Sequence, residues 1–289
     1  KRIMENIYNT PAEKIDGNIK AGVTKANLNI WKMIIMGLMA GAFIAIGGQA
    51  SNVAVHNIQN VGLARLLAGT VFPVGLMMIV LVGGELFTGN CLLIMDIMDK
   101  KVTVLQMLRN LVVVYFSNMA GALIATALTF YSNQFNYSSG LLGAYTIKVA
   151  VGKCSLDFFP AFCSGILCNI LVCMAILMAG TAKDIIGKLF AIFFPIMAFV
   201  TSGFEHCVAN MFYIPAGMFA ATNANYVQVA EEAYGMTADQ IHSALSASGY
   251  LSNLIPVTLG NIVGGMLCVG IVYYEINKSK FMNPSKDKK

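Results

Sequence analysis

Two glutamates, each followed five residues later by an asparagine, interrupt otherwise apolar stretches of this chain. Glu85 and Asn90 come directly after a pair of glycines, and Glu205 and Asn210 come shortly after a single glycine. A carboxylate inside hydrophobic sequence is costly unless it faces the protein interior, so both glutamates are candidates for a functional site. Glycine lets a helix break, and the freed backbone groups must then line a cavity or be buried in protein. The pattern predicts two interrupted helices.

Two further polar side chains at these breaks are suited to contact with a small anion. His206 follows Glu205 directly, and Thr88 lies between the first glutamate and its asparagine. Half-helix N-termini that point inward attract anions, and histidine, with an unperturbed pKa of about 6.5, is suited to proton exchange. The residues leave alternatives open. The glutamates would simply cap the half-helices by accepting backbone N–H bonds, and the histidine would be a hydrogen-bonded residue of the break without contact to a permeant.

The composition defines the setting of these residues. Of 289 residues, 57% are hydrophobic and 11% are charged, and the mean hydropathy is +0.69. A soluble domain carries about 25% charged residues, so the chain is predicted to be a polytopic membrane protein. The seven cysteines lack metal-ligand spacing, and no HExxH or GxSxG motif occurs. We therefore expect no cofactor, no metal, no nucleic-acid partner and no enzymatic activity.

Charge-free stretches predict six membrane-spanning helices, because about 20 apolar residues cross the hydrocarbon core. Sixteen of the 19 basic residues fall in the tails and in the loops of one side, which places both termini in the cytoplasm. The predicted division is a cytoplasmic N-terminal segment over 1–32, one transport domain over 33–275 and a cytoplasmic tail over 276–289. Within the first segment, an amphipathic helix on the membrane surface and a solvated tail stay open. The six stretches are 33–64, 66–84, 110–147 (with a loop over 131–139), 158–182, 189–204 and 243–274 (mainly 254–274).

The two breaks occupy matching places in the two halves of the chain, and short motifs repeat in the same order. Gly37-Leu-Met-Ala-Gly41 is similar to Gly165-Ile-Leu-Cys-Asn169, and Asn118-Met-Ala-Gly121 is similar to Asn261-Ile-Val-Gly264. Because three spans reverse the membrane orientation, spans one to three and four to six would be inverted repeats. A pair of broken helices in corresponding positions points to a binding site near the membrane midplane.

Four ordered motifs resemble the signatures of the formate/nitrite transporter family. They are Glu85–Asn90, Gly165–Ala175, Gly203–Met211 and Pro256–Gly265, and the resemblance covers roughly residues 8–274. Within the family, the sequence most resembles the clostridial hydrosulfide channels. The resemblance implies an all-α, aquaporin-like protomer of six helices in a homopentamer, in a bacterial cytoplasmic membrane. It also implies that each protomer has a pore for hydrosulfide, formate or nitrite, with a proton-coupled formate/nitrite transporter as the alternative.

The resemblance also implies roles for individual residues. Lys153, placed at the outer end of span four, would draw anions into a vestibule, although without the family spacing it would be a lysine that snorkels to the interface. Lys148 is a second outer lysine that would share this role. Cys207 departs from the small hydroxyl residue of many members. The implied pore residues are polar (His206, Thr88, Asn169 and Lys153), constricting on the inner side (Leu86, Phe199 and Val172) and constricting on the outer side (Leu76 and Phe72).

Overall fold

The structure, a computed structural model, describes residues 7–278, which form helices joined by short connections. Six of these helices are long and apolar enough to cross a membrane, which confirms the six predicted spans. Two shorter apolar helices, Phe87–Met98 and Cys207–Ala220, follow the two glutamates, as the interrupted helices require. The spans are α2 (Ile30–Val55), α3 (Val61–Gly83), α5 (Val104–Tyr131), α7 (Phe158–Ala179), α8 (Ile185–Ser202) and α12 (Ala247–Lys278). The other helices are α1 (Pro11–Ala26), α4 (Phe87–Met98), α6 (Leu141–Cys154), α9 (Cys207–Ala220), α10 (Ala224–Tyr234) and α11 (Ala238–Ala244).

The ends of the spans differ from the predicted ends where a turn carries no charge. The first predicted stretch ran to residue 64, but α2 ends at Val55, where the polar connection over residues 56–60 begins. The charge pattern missed this end because the connection is uncharged. The charge pattern also did not separate α6 from the third span. In the structure Lys153 lies in the last turn of α6. Its predicted position at the end of span four is therefore wrong. Of the predicted tails, residues 1–6 and 279–289 lie outside the described residues.

Glycine ends both helices that lead into the breaks. In α3 the last turn, Ile79–Gly83, is π-helical, and Gly83 has a φ of +103°. In α8 the C-cap residue Gly203 has a φ of +73°. L-residues with a side chain rarely adopt this left-handed region, so glycine is the residue that allows the chain to turn away from the helix axis.

Close backbone contacts at glycines hold the first and third spans of each half together. A Cβ atom on Gly41 or Gly121 would lie 1.9–2.0 Å from a backbone oxygen of the facing helix in the α2–α5 pair. A Cβ atom on Gly260 or Gly264 would lie 2.1–2.3 Å from such an oxygen in the α7–α12 pair. The second half therefore repeats the packing of the first, as the paired motifs predicted. This close approach of helices through small residues is typical of membrane proteins.

The N-terminal helix α1 packs against the protein through one face. Its N-cap Thr10 forms a capping box with Glu13, and Pro11 occupies the first turn; both features favour a helix start. Ile15 and Ile19 are buried against side chains of α4, α7 and α12. The apolar face of this segment therefore contacts protein, whereas the sequence had suggested contact with lipid or solvent.

Candidate pore and its two helix breaks

The first break is held by a cluster of four side chains that we call the first clamp: Lys25, Glu85, Asn90 and Asn110. The Glu85 carboxylate accepts a hydrogen bond from the Asn90 amide (2.6 Å) and lies 3.3 Å from the Lys25 ammonium group. Lys25 also donates to the Asn90 side-chain oxygen (2.8 Å). The side-chain oxygen of Asn110 accepts from Asn90 (2.8 Å), and the side-chain nitrogen of Asn110 donates to the backbone oxygen of Lys25 (3.2 Å). The clamp thus joins α1, the break and α5.

The second break has the same construction, which we call the second clamp: Lys153, Glu205, Asn210 and Asn253. Asn210 donates to Glu205 (2.6 Å) and to the side-chain oxygen of Asn253 (2.7 Å). Lys153 pairs with the same carboxylate at 2.8 Å, and Asn253 donates to the backbone oxygen of Lys153 (2.9 Å). Each member corresponds to one of the first clamp, so α6 plays in the second half the part that α1 plays in the first.

The two clamps correct the simple capping interpretation of the glutamates. Glu85 and Glu205 are 2% and 4% exposed, and their hydrogen bonds come from asparagine and lysine side chains. The N-cap of α9 is His206, while Leu86 precedes α4 without a capping hydrogen bond from its side chain. A buried carboxylate needs partners for its charge. The glutamates therefore stabilise the breaks by binding side chains of other elements: Glu85 binds side chains of α1 and α4, and Glu205 binds side chains of α6, α9 and α12.

Two buried asparagines complete the support of the break backbones. The side-chain oxygen of Asn118 accepts from the Phe87 N–H (2.9 Å), and its amide donates to the backbone oxygens of Gly37 and Glu85, both at 2.8 Å. Asn261 does the same in the second half, with the Cys207 N–H (2.9 Å) and two backbone oxygens. The repeated Asn-x-x-Gly motif signalled these residues, but their function of satisfying freed backbone groups was not predicted.

His206 and Thr88 meet between the two breaks. The Nε2 atom of His206 lies 2.9 Å from the Thr88 hydroxyl oxygen, and both residues are at most 2% exposed. The Nδ1 atom of His206 accepts the N–H of Ala209 at 3.0 Å. Because Nδ1 is an acceptor, a neutral ring carries its proton on Nε2 and donates it to Thr88. The threonine hydroxyl then keeps its own proton for a further acceptor.

Asn169, predicted as a pore residue, bridges elements around this pair. Its amide donates to the backbone oxygens of Thr88 (3.1 Å) and Asn261 (2.6 Å), and the residue is fully buried. It thus connects α7 to the start of α4 and to α12. These bonds position Thr88 opposite His206, and a direct role of Asn169 toward a permeant stays a prediction.

A cavity of about 500 Å³, here called the entry cavity, opens on the side of the second clamp. Phe72, Phe199 and His206 are among the residues that line it. The rings of Phe72 and Phe199 meet edge to face at 5.6 Å, and Phe199 stacks on His206 at 5.8 Å. Phe199 therefore belongs with Phe72, and its predicted place on the inner side with Leu86 and Val172 is wrong. Phe199 thus lies between Phe72 and the buried histidine.

The remaining predicted constriction residues are buried outside the wall of the entry cavity. Leu76, Leu86 and Val172 are 1–3% exposed and belong to the main hydrophobic core. By the correspondence of the clamps, Leu86 occupies in the first break the position of His206 in the second. The two breaks therefore share their support but present different side chains, one apolar and one polar. The constricting role of these three residues stays a prediction.

Sequence reasoning identified Lys153 but missed its counterpart Lys25. A signal was present, because Lys25 lies twelve residues before Gly37 and Lys153 lies twelve residues before Gly165. Asn110 lies eight residues before Asn118, and Asn253 lies eight residues before Asn261. Applying the repeat to these spacings would have extended both clamps. Within residues 7–278, no group of three or more metal-ligating side chains is positioned to hold a metal ion.

Six spans, two broken helices and a buried polar pair whose histidine lines a cavity define a multi-pass membrane channel or transporter. Comparisons with known proteins agree. The model of the family described as formate/nitrite transporter matches residues 12–275. The chain belongs to this family, whose members are channels and transporters and not enzymes.

Named relatives cover nearly the whole chain. A probable formate transporter of Methanothermobacter thermautotrophicus is 36% identical over 94% of this chain and 98% of its own length. The formate channel FocA of Haemophilus influenzae is 35% identical over 96% and 97%, respectively. A solved pentameric formate channel with formate bound has a TM-score of 0.75 at 33% identity, over 86% of this chain and 97% of that one. The fold is therefore shared with the solved channel over 86% of this chain.

Proposed function

We propose that this protein is a membrane channel for small monovalent weak-acid anions, with one pore in each protomer of a homopentamer. The observation that carries the proposal is the entry cavity, which leads from three basic side chains to the buried His206–Thr88 pair. A solved relative is a pentameric formate channel with formate bound. We also propose that both termini face the cytoplasm of a bacterial cell, so that the entry cavity opens to the outside.

Passage begins with attraction and loss of water. Basic groups at the cavity raise the local concentration of anions. Phe72 and Phe199 then exclude hydrated ions, because apolar rings offer nothing that replaces the hydration shell. An anion that enters without compensation would meet a large desolvation penalty. The barrier is lower for a permeant that finds a hydrogen-bond donor immediately beyond the rings.

Thr88 supplies that donor. Its hydroxyl oxygen accepts from Nε2 of His206 and its proton points onward, so an anion between the breaks receives a hydrogen bond. Accepting from the imidazole polarises the hydroxyl, which strengthens its own donation. Asn169 holds the Thr88 backbone in place. The pair therefore stabilises a small acceptor without placing a fixed charge in the pore.

The same geometry bears on the source of a proton. A neutral His206 has one N–H, and giving it up would leave an imidazolate ring. A doubly protonated ring would place a proton on Nδ1, where the Ala209 N–H already donates. His206 therefore acts as a neutral donor, and a weak acid that crosses the rings uncharged takes its proton from solution in the entry cavity.

The permeant follows from this chemistry and from the relatives. Formate is supported by named relatives that are formate channels. Hydrosulfide, the finer proposal, rests on the resemblance to hydrosulfide channels, and nitrite shares the size, the charge and the weak-acid character of both. The proton-coupled transporter is the second candidate. It is favoured if a pH gradient drives concentrative uptake, and it is refuted if the flux only dissipates gradients.

The deciding experiment uses purified protein in liposomes, with formate, nitrite and hydrosulfide measured separately. Thr88→Val removes the hydroxyl at nearly unchanged volume, and we expect a loss of flux of at least about tenfold, corresponding to one hydrogen bond to a charged group. Thr126→Val is the matched control, because the Thr126 hydroxyl is buried and bonds only the backbone of its own helix. Unchanged flux in the Thr88 variant would overturn the donor role, and no flux of any of the three anions through the wild type would overturn the function.

A further inference from the structure

The second clamp changes the expected source of the positive potential in the entry cavity. Lys153 lies 2.8 Å from Glu205, and the two side chains are 16% and 6% exposed. An ion pair at this separation has no net charge, and its field falls off faster with distance than that of a single ion. Lys153 therefore adds little to the attraction of an anion that is still in the mouth of the cavity.

Two other cations line the same cavity and have no acidic partner among residues 7–278. Arg65 donates to the backbone oxygen of Ser202 at 3.3 Å, and Lys148 lies over the ring of Tyr234 at 4.4 Å. A carbonyl oxygen and an aromatic ring orient these cations without cancelling their charge. Both residues are exposed. They hold two full positive charges at the cavity mouth.

Acidic groups do not offset these charges inside the cavity. Glu205 is the one acidic residue in the cavity lining, and it is occupied by the second clamp. Glu231 and Glu232 of α10 lie outside the lining, and their carboxylates accept bonds from the Ala238 N–H and from Gln228. His56 lines the cavity with its ring bonded to Val53 and Ser138. The net charge of the lining at neutral pH is therefore positive by two.

We propose that Arg65 and Lys148 form an anion-collecting station at the mouth of the entry cavity, which sets the rate of anion entry, whereas the Lys153–Glu205 pair holds the helix break. The ligands of this station are small monovalent anions. The inference rests on the proposed function, because it concerns the entry step of the same pore.

The test is the exchange of labelled formate at equal concentration on both sides of the liposome membrane, so that the orientation of the protein does not affect the rate. We expect Arg65→Gln with Lys148→Gln to lower the exchange rate at low ionic strength by about fourfold, that is, about twofold for each charge at roughly 10 Å in water. In about 1 M of a salt with a large impermeant anion, the Debye length is about 3 Å. The double variant and the wild type should then exchange formate at the same rate.

Two controls separate charge from structure. Lys20→Gln with Lys32→Gln removes the same net charge from exposed residues that lie outside the cavity lining, and this double variant should exchange like the wild type. The single variant Arg65→Lys keeps the positive charge and should exchange formate at the wild-type rate. A cavity double variant with the wild-type rate and salt dependence would overturn this inference alone. Absence of formate exchange in the wild type, together with no flux of nitrite or hydrosulfide, would overturn the proposed function and this inference with it.

Discussion

Removing Lys153 should destabilise the protein far more than removing Lys25, although the two lysines occupy equivalent places in the two clamps. In the second clamp, the lysine and glutamate side chains are 16% and 6% exposed and lie 2.8 Å apart. Removing one partner of a buried pair costs roughly 3–5 kcal/mol, because the other charge is left uncompensated. Asn210 and Asn253 continue to donate to Glu205, so we expect the lower end, about 3 kcal/mol.

The first clamp provides the internal comparison. The Lys25 side chain is 34% exposed, and its nitrogen lies 3.3 Å from the Glu85 carboxylate. The Glu85 side chain itself is only 3% exposed, but the part-exposed position of Lys25 lets water reach the carboxylate once the lysine is removed. We therefore expect a cost of about 1 kcal/mol, the upper end for exposed pairs. At roughly 2–4 °C for each kcal/mol in a chain of this size, Lys153→Met should lower Tm by about 6–12 °C and Lys25→Met by only about 2–4 °C.

The assay is thermal unfolding in detergent with a thiol-reactive fluorophore, because four of the seven free cysteines, Cys91, Cys168, Cys173 and Cys207, are buried and become reactive on unfolding. The double variant Lys153→Met with Glu205→Gln removes both charges and should recover most of the lost Tm. Equal shifts for the two lysine variants, or a double variant as unstable as the sum of its single changes, would refute the assignment of the second clamp as a buried ion pair.

Three further predictions follow from other contacts. Gly121→Ala should abolish stable expression, because the new Cβ atom would lie 1.9 Å from a backbone oxygen. The control Gly17→Ala meets no atom within 4 Å. It should raise Tm slightly, because alanine favours a helix interior more than glycine does. Asp96→Asn should raise Tm by a few degrees, because both carboxylate oxygens are buried without a hydrogen-bond partner in the described structure. Burial lowers the pKa of Lys14 from 10.5 to about 8. The unfolded chain therefore binds more protons between these values, and thermal stability should increase as the pH rises from about 8 toward 10.5 in the wild type and stay level in Lys14→Met.

The sequence was sufficient for the number of spans, the two breaks and the identity of the His206–Thr88 pair, because apolar length and intramembrane polar residues follow directly from the energetics of the bilayer. It was insufficient for contacts between elements far apart in the chain. Lys25 looked like one of many lysines in a polar segment, and only the fold brings it to Glu85. Phe199 was placed on the wrong side because its position depends on how α8 leans against Phe72, which no local pattern encodes.

The glycine contacts described for the paired helices bear on how the protein can move. A carrier that works by alternating access rocks one repeat against the other around a central site. Here the repeats are also tied to each other at the helix breaks, since Thr88 of the first half binds Asn169 and His206 of the second, and a Cβ atom on Gly265 would lie 2.7 Å from Cβ of Cys91. The glycine contacts of the α2–α5 and α7–α12 pairs each lie within one half and keep that half rigid. Rocking would therefore have to break the contacts between the halves together. Rotation of the Phe72 and Phe199 side chains would leave these contacts between the halves intact, so a channel with this scaffold could open by small side-chain rearrangements.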